Sequence, residues 1–129
     1  MDIEGLQAVL EYATACLGEK LRAVGYATEA EITYTFMRED VSELYDELAL
    51  SRIRDELVLS TLEQRHHEGL YAVGSLKATV RVFEQAVMVI FDDLVEYGAV
   101  ILSFDTDAEC SFVEFLSTCR SHLEAAESH

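Results

Sequence analysis

From Ala86 to Phe91 the chain reads Ala-Val-Met-Val-Ile-Phe, six apolar residues with no polar face. A strand that lacks alternation has water on neither side, so this run belongs at the centre of a sheet, buried on both faces. Its neighbours complete a meander. Upstream, Leu76, Ala78, Val80 and Val82 alternate with Lys77, Thr79, Arg81 and Phe83, the pattern of a half-buried strand, and Glu84-Gln85 forms the turn. Downstream, Asp92 to Gly98 reads as a polar loop and Ala99 to Phe104 as a third strand.

The remaining segments supply helices and one more strand. Leu6, Val9, Leu10, Ala13, Leu17, Leu21 and Val24 recur at helical spacing and stop at Gly25, which predicts a helix over 3–24 with a left-handed glycine cap. Ile32 to Met37 alternates as a strand with Ile32, Tyr34 and Phe36 on one face. Asp40 with Glu43 approximates a capping box for a second helix, kinked near Ser51 and reaching His67. Thr106 with Glu109 opens a last helix along Phe112, Phe115, Leu116, Cys119 and Leu123, with Glu124 to His129 frayed. The expected fold is α+β in one domain over 1–129. An antiparallel β-meander and an additional strand pack against helices on at least one face, in the order α-β-α-β-β-β-α. The expected core includes Leu10, Leu17, Leu44, Ile53, Val80, Val89, Val100, Phe112 and Leu116.

Charge bounds the setting. Twenty-five acidic residues face nine basic ones, a formal net charge of −16 over 129 residues. Half of the residues are hydrophobic, so the chain can build a core despite that charge. Self-repulsion of this size destabilises a fold in dilute buffer but is screened within about 3 Å at 1 M salt, which points to a salt-rich, halophilic cytoplasm; the alternative is an acidic domain of ordinary cytoplasm. Only two of the nine basic residues are lysines, in keeping with that setting. The field repels phosphates and no basic stripe is present, so nucleic acid is not an expected partner. No apolar run approaches the roughly twenty residues of a membrane helix and no leader is apparent, so no membrane association is expected. Cys16, Cys110 and Cys119, odd in number and unrelated in spacing, read as reduced thiols.

Between Thr35 and Phe91 lie two characteristic stretches. The first is Thr-Phe-Met-Arg-Glu-Asp-Val-Ser-Glu-Leu-Tyr, beginning at Thr35. The second, beginning at Gly69, is Gly-Leu-Tyr-Ala-Val-Gly-Ser-Leu-Lys-Ala-Thr-Val-Arg-Val-Phe-Glu-Gln-Ala-Val. They resemble an uncharacterised family of small acidic haloarchaeal proteins, which implies a halophilic setting and no particular activity. In element order, the meander and terminal helix from Gly74 to Leu123 are similar to the roadblock/LC7 superfamily of small regulatory modules. The chain departs from that pattern in showing one strand, Ile32 to Met37, where a hairpin is expected between the first two helices.

Motifs for chemistry are weak. Glu63 and His66 share a helical face in the i, i+3 spacing of di-iron bundles, but such a site needs a second pair and two further glutamates. Cys119 and His122 share a face too, yet Cys119 lies on an apolar stripe and reads as a buried, inert thiol. Cys110 stands near a helix N-terminus among Asp105, Asp107 and Glu109, which oppose a thiolate. No nucleophile elbow, Walker loop or G-x-G-x-x-G is present. No catalytic residue, metal ligand or cofactor is therefore assigned.

The sequence is read as a non-catalytic regulatory or protein-interaction module, a homo-oligomer and most simply a dimer, with an unidentified protein partner. Oligomerisation follows from the meander face carrying Phe83 or the open strand edge, either of which needs cover. Arg38 and Arg81 are expected to form local ion pairs or, functionally, to anchor an acidic ligand or partner. The alternative is a small-molecule sensor with a pocket between sheet and helices, lined by Tyr34, Phe36, Tyr45 and Tyr71.

Overall fold

A computed structural model describes residues 4–67, 70–74, 76–91 and 98–127. The elements are α1 (Glu4–Leu17), followed by a 3-10 turn (Gly18–Lys20), β1 (Leu21–Ala27), β2 (Ile32–Met37), α2 (Glu39–Ser42) and α3 (Glu47–His67). Then come β3 (Thr79–Val82), β4 (Ala86–Phe91), β5 (Ala99–Asp105) and α4 (Phe112–Glu127). The five strands form one antiparallel sheet in the order β2-β1-β5-β4-β3. The α+β architecture and the β3-β4-β5 meander are those expected, with β4 inside the sheet and its Val87, Val89, Ile90 and Phe91 buried, while Ala86 and Met88 are half-buried.

Each sheet face has its own core. Val24, Val87, Val89, Val100, Leu102 and Phe104 meet Leu6, Val9, Ala13 and Leu17 of α1 and Phe115, Cys119 and Leu123 of α4. Tyr12, Phe104, Phe112 and Phe115 add ring contacts at 5.6–6.1 Å between centroids. The opposite face carries a smaller core in which Leu57 of α3 covers Ala27, Ile90, Ala99 and Ile101. Of the expected core, Leu17, Val89 and Val100 are buried, and Leu10, Ile53, Phe112 and Leu116 are half-buried against these clusters.

The first helix ends earlier than its periodicity predicts. Gly18, at φ +54°, breaks α1 after Leu17, and Leu21 to Ala27 form a strand between β2 and β5. Because β1 is buried on both faces it shows no alternation, and Leu21 and Val24 fit a helical spacing as well as a strand. Gly25 is no helix cap. It sits opposite Tyr34, where an added Cβ would lie 2.3 Å from the Thr33 carbonyl oxygen and 2.9 Å from Tyr34 Cδ1. The missing half of the expected hairpin is therefore β1.

Further expectations are corrected. A bulge at Thr35, whose hydroxyl donates to the Val24 carbonyl at 3.1 Å, shifts the register between Val24–Phe36 and Gly25–Tyr34. Phe36 consequently packs on the α1/α4 face and Tyr34 on the α3 face, not together. The second helix breaks at 43–46 rather than near Ser51, because Asp46 accepts the Ala49 amide at 2.8 Å and caps α3 afresh. Leu44, in that break, is 65% exposed instead of buried. Finally, β3 is shorter than expected, and Val80, opposite Val89, is exposed on the outermost strand. Helix α4 continues to Glu127, past the expected fraying point at Glu124, whereas 128–129 and most of the 92–98 loop lie outside the described residues.

Candidate functional site

The two sheet faces are covered unequally. Helices α1 and α4 span one of them, whereas α3 crosses only the end bearing Ala27, Ala99 and Ile101. Over the other end the sheet presents a row of modest side chains, Ala23 opposite Ser103 and Ser103 opposite Met88, with Ala86 beside them. The segment running through Val41, Leu44 and Tyr45 arches above this row without filling it. The result is a cavity of about 350 Å³ between sheet and helices. Tyr34, Met37 and Ile53 form its walls, and Leu44, Tyr45 and Phe83 stand at its exposed margin.

Gly25 makes one wall possible. With no Cβ there, the Tyr34 ring can lie over β1, and burial pushes its phenol up to about 12. Among the described residues neither the Tyr34 nor the Ser103 hydroxyl has a hydrogen-bond partner.

At the Arg22 end of the cavity stands a charge network. Arg38 sets its guanidinium on Asp105 through Nη1 to Oδ2 at 2.9 Å and Nη2 to Oδ1 at 3.0 Å. It also holds Asp40 through Nε at 2.6 Å and Nη2 at 3.0 Å, and donates to the Glu19 carbonyl at 2.8 Å. Arg38 foremost, and then Arg22, keep the Asp105 carboxyl below the usual carboxylate range. Arg22 reaches the same carboxylate only at 3.3 Å, although its side chain is just 13% exposed. It lines the cavity and is the least satisfied cation of the network. The pairing of β1 with β5 is irregular between Leu21 and Ala23, which leaves Arg22 without a ladder partner on β5.

The structure sorts the expected site residues. Tyr34, Tyr45 and Phe83 meet at the cavity, while Phe36 faces the other core and Tyr71 is exposed in the connector after α3. Arg38 and Arg81 do not meet. Arg81 forks onto both carboxylate oxygens of Glu56 and donates to Ser60 Oγ at 3.1 Å, tying β3 to α3. Arg22 was not singled out by sequence reasoning; a basic residue flanked by Leu21 and Ala23 is a signal only once that segment is known to be a strand. Cys119 is fully buried, and burial pushes its thiol up to about 12. No group of three potential metal ligands occurs among the described residues, and the side chain of His66 lies outside them. Among the described residues, no helix is long and apolar enough to cross a membrane.

Helix α3 offers a second candidate surface. Ile53, Leu57 and Thr61 face the sheet, and the Thr61 hydroxyl donates to the Leu57 carbonyl at 3.0 Å. Leu48, Leu59 and Leu62 are 59%, 58% and 47% exposed. At 100° per residue these three fall within about 60° of one another, on the side opposite the buried set. One apolar stripe is covered by the chain's own sheet; on the opposite side the three leucines are exposed, with Asp55 between them at about 20° from Leu48.

The model for a domain of unknown function, DUF7522, matches residues 7–124. The chain belongs to that family. Comparison with curated proteins finds no match. Among solved structures, one described as MglB with a tetrameric arrangement superposes with a TM-score of 0.62 at 13% identity, covering 96% of this chain and 91% of that one. MglB from Myxococcus xanthus superposes at 0.58 with 12% identity and full coverage of both chains. MglC from Myxococcus xanthus superposes at 0.54 with 14% identity, covering 96% and 98%. At such identities the likeness is one of fold, and it is the roadblock-like fold. The β1–β2 hairpin supplies the element whose apparent absence set the sequence apart from that pattern.

Proposed function

We propose that this DUF7522 protein is a non-catalytic, homo-oligomeric interaction module, a dimer in its simplest form, acting in the cytoplasm of a halophile. The observation that carries the proposal is the exposure of Leu48, Leu59 and Leu62 on α3, opposite the stripe that covers the sheet. Leucines exposed around Asp55, opposite a side already packed on the sheet, gain from cover that a single chain does not supply. Burying such leucines against a second copy removes from water surface worth about 1.5–3 kcal/mol for each side chain fully covered. The roadblock-like fold, shared with a protein solved in a tetrameric arrangement, supports an assembling module over an enzyme. The net charge of −16 supports the halophilic setting, because molar salt screens repulsion between acidic copies.

Sedimentation equilibrium in molar KCl tests the assembly. At 14.5 kDa per chain, the wild type is expected at a multiple of that mass, and Leu59→Glu at the single-chain mass with unchanged circular dichroism. A monomeric wild type, or a Leu59→Glu variant that assembles undiminished, overturns the reading.

A further inference from the structure

We infer that the cavity between the sheet and the α2–α3 segment binds a small, mostly apolar molecule that ends in a carboxylate. This is the sensor alternative given a site and a ligand class, and it does not rest on the oligomeric reading. Its volume of about 350 Å³ lies at the lower end of the range for small-molecule pockets. That space suits a ring with a short chain. Met37, Ile53, Met88 and Ile101 present apolar surface to such a molecule, and the Tyr34 ring offers it a flat face.

The carboxylate is argued from hydrogen-bonding groups that the chain leaves unused. Arg38 occupies Asp105 with two donors at 2.9 and 3.0 Å, so Arg22 is left one long contact at 3.3 Å. A guanidinium has five N–H donors, and among the described residues the side chain of Arg22 has no other partner. The hydroxyls of Tyr34 and Ser103 line the same cavity and are also without partners among the described residues. Burial keeps the Tyr34 phenol protonated across the physiological range, so it is a donor there. Three unused donor groups around one apolar cavity call for an acceptor, and a carboxylate is the acceptor that suits a guanidinium best. The unfavourable field of the acidic surface is screened in molar salt, whereas a charge inside the cavity beside Arg22 is screened much less.

The test is a titration in molar KCl, followed by amide NMR, with 4-phenylbutyrate and its uncharged counterpart 4-phenyl-1-butanol. Saturable shifts centred on Ala23, Met88 and Ser103 are expected, with the acid bound about tenfold more tightly than the alcohol. Tyr34→Phe, which removes one oxygen, is expected to weaken the acid about tenfold, and Arg22→Gln to erase the preference for acid over alcohol. Ala86→Leu narrows the cavity and is expected to weaken binding of both compounds, its amide spectrum reporting retained folding. The Leu59→Glu variant should bind as the wild type does, which separates this result from the assembly. The inference is overturned if neither compound gives saturable shifts, if the shifts map elsewhere, if the alcohol binds as tightly as the acid, or if Ala86→Leu binds unchanged.

Discussion

Replacing Gly25 by alanine puts the β1 assignment under direct test. The new methyl would lie 2.3 Å from the Thr33 carbonyl oxygen, 2.9 Å from Tyr34 Cδ1 and 3.0 Å from Tyr34 Cα. Comfortable contact begins near 3.5 Å, so the β1–β2 ladder must open by about 1 Å, against backbone atoms that cannot rotate away. Overpacking of this kind costs about 1–3 kcal/mol, and a ladder hydrogen bond lost in the opening adds about 1 kcal/mol, so about 3 kcal/mol is expected. Gly18 is the control. Its φ of +54° strains an alanine, but nothing lies within 4 Å of an added Cβ, so Gly18→Ala should cost only about 1 kcal/mol. Urea unfolding in molar KCl measures both. A Gly25→Ala cost at or below that of Gly18→Ala would refute the mid-strand placement and restore Gly25 as a helix cap.

Stability should rise with salt: the melting temperature is expected to increase from dilute buffer to molar KCl, and a level value would remove the basis for the halophilic reading. Val89→Ala, at a fully buried site in the α1/α4 core, is expected to destabilise by about 2–3 kcal/mol in urea unfolding, with little effect refuting the face assignment. The Asp105 carboxyl is held low in the fold, chiefly by Arg38, so its ion pairs stabilise above the unfolded value near 3.9 and are lost as pH falls through the lower folded value. Asp105→Asn should therefore lower the melting temperature at pH 7 and converge on the wild type below about pH 4; a constant gap down to pH 2 would contradict the network.

How far the sequence discloses this fold depends on how each element is buried. β4 was legible because six apolar residues without a polar face, too short a run for a buried helix, fit an interior strand, and α4 because its apolar stripe is bounded by charge. β1 was not, since burial on both faces erases the period of two that would separate it from a helix. The Thr35 bulge escaped for a related reason, as i, i+2 spacing assigns Tyr34 and Phe36 to one face unless a residue is inserted into the ladder. The candidate site was legible only in part. Tyr34, Tyr45 and Phe83 were expected as contact residues, but the emptiness beside them follows from the small partners Ala23, Ser103 and Ala86 on three different strands. Arg22 stayed hidden within the misread helix. The exposed leucines of α3 left one weakly periodic segment, because they lie opposite the buried set and share their side with Asp55.

Whether copies of this chain meet at the outer leucines of α3 can be read from a distance between copies. A nitroxide at Leu59→Cys, with the exposed Cys16 and the half-buried Cys110 replaced by serine, reports that distance by pulsed electron paramagnetic resonance in molar KCl. Helices packed face to face lie about 8–10 Å apart, so a narrow distribution within about 20 Å is expected. A distribution centred well beyond that, or no intermolecular signal at concentrations where the mass is a multiple of one chain, would place the contact elsewhere and contradict the proposal.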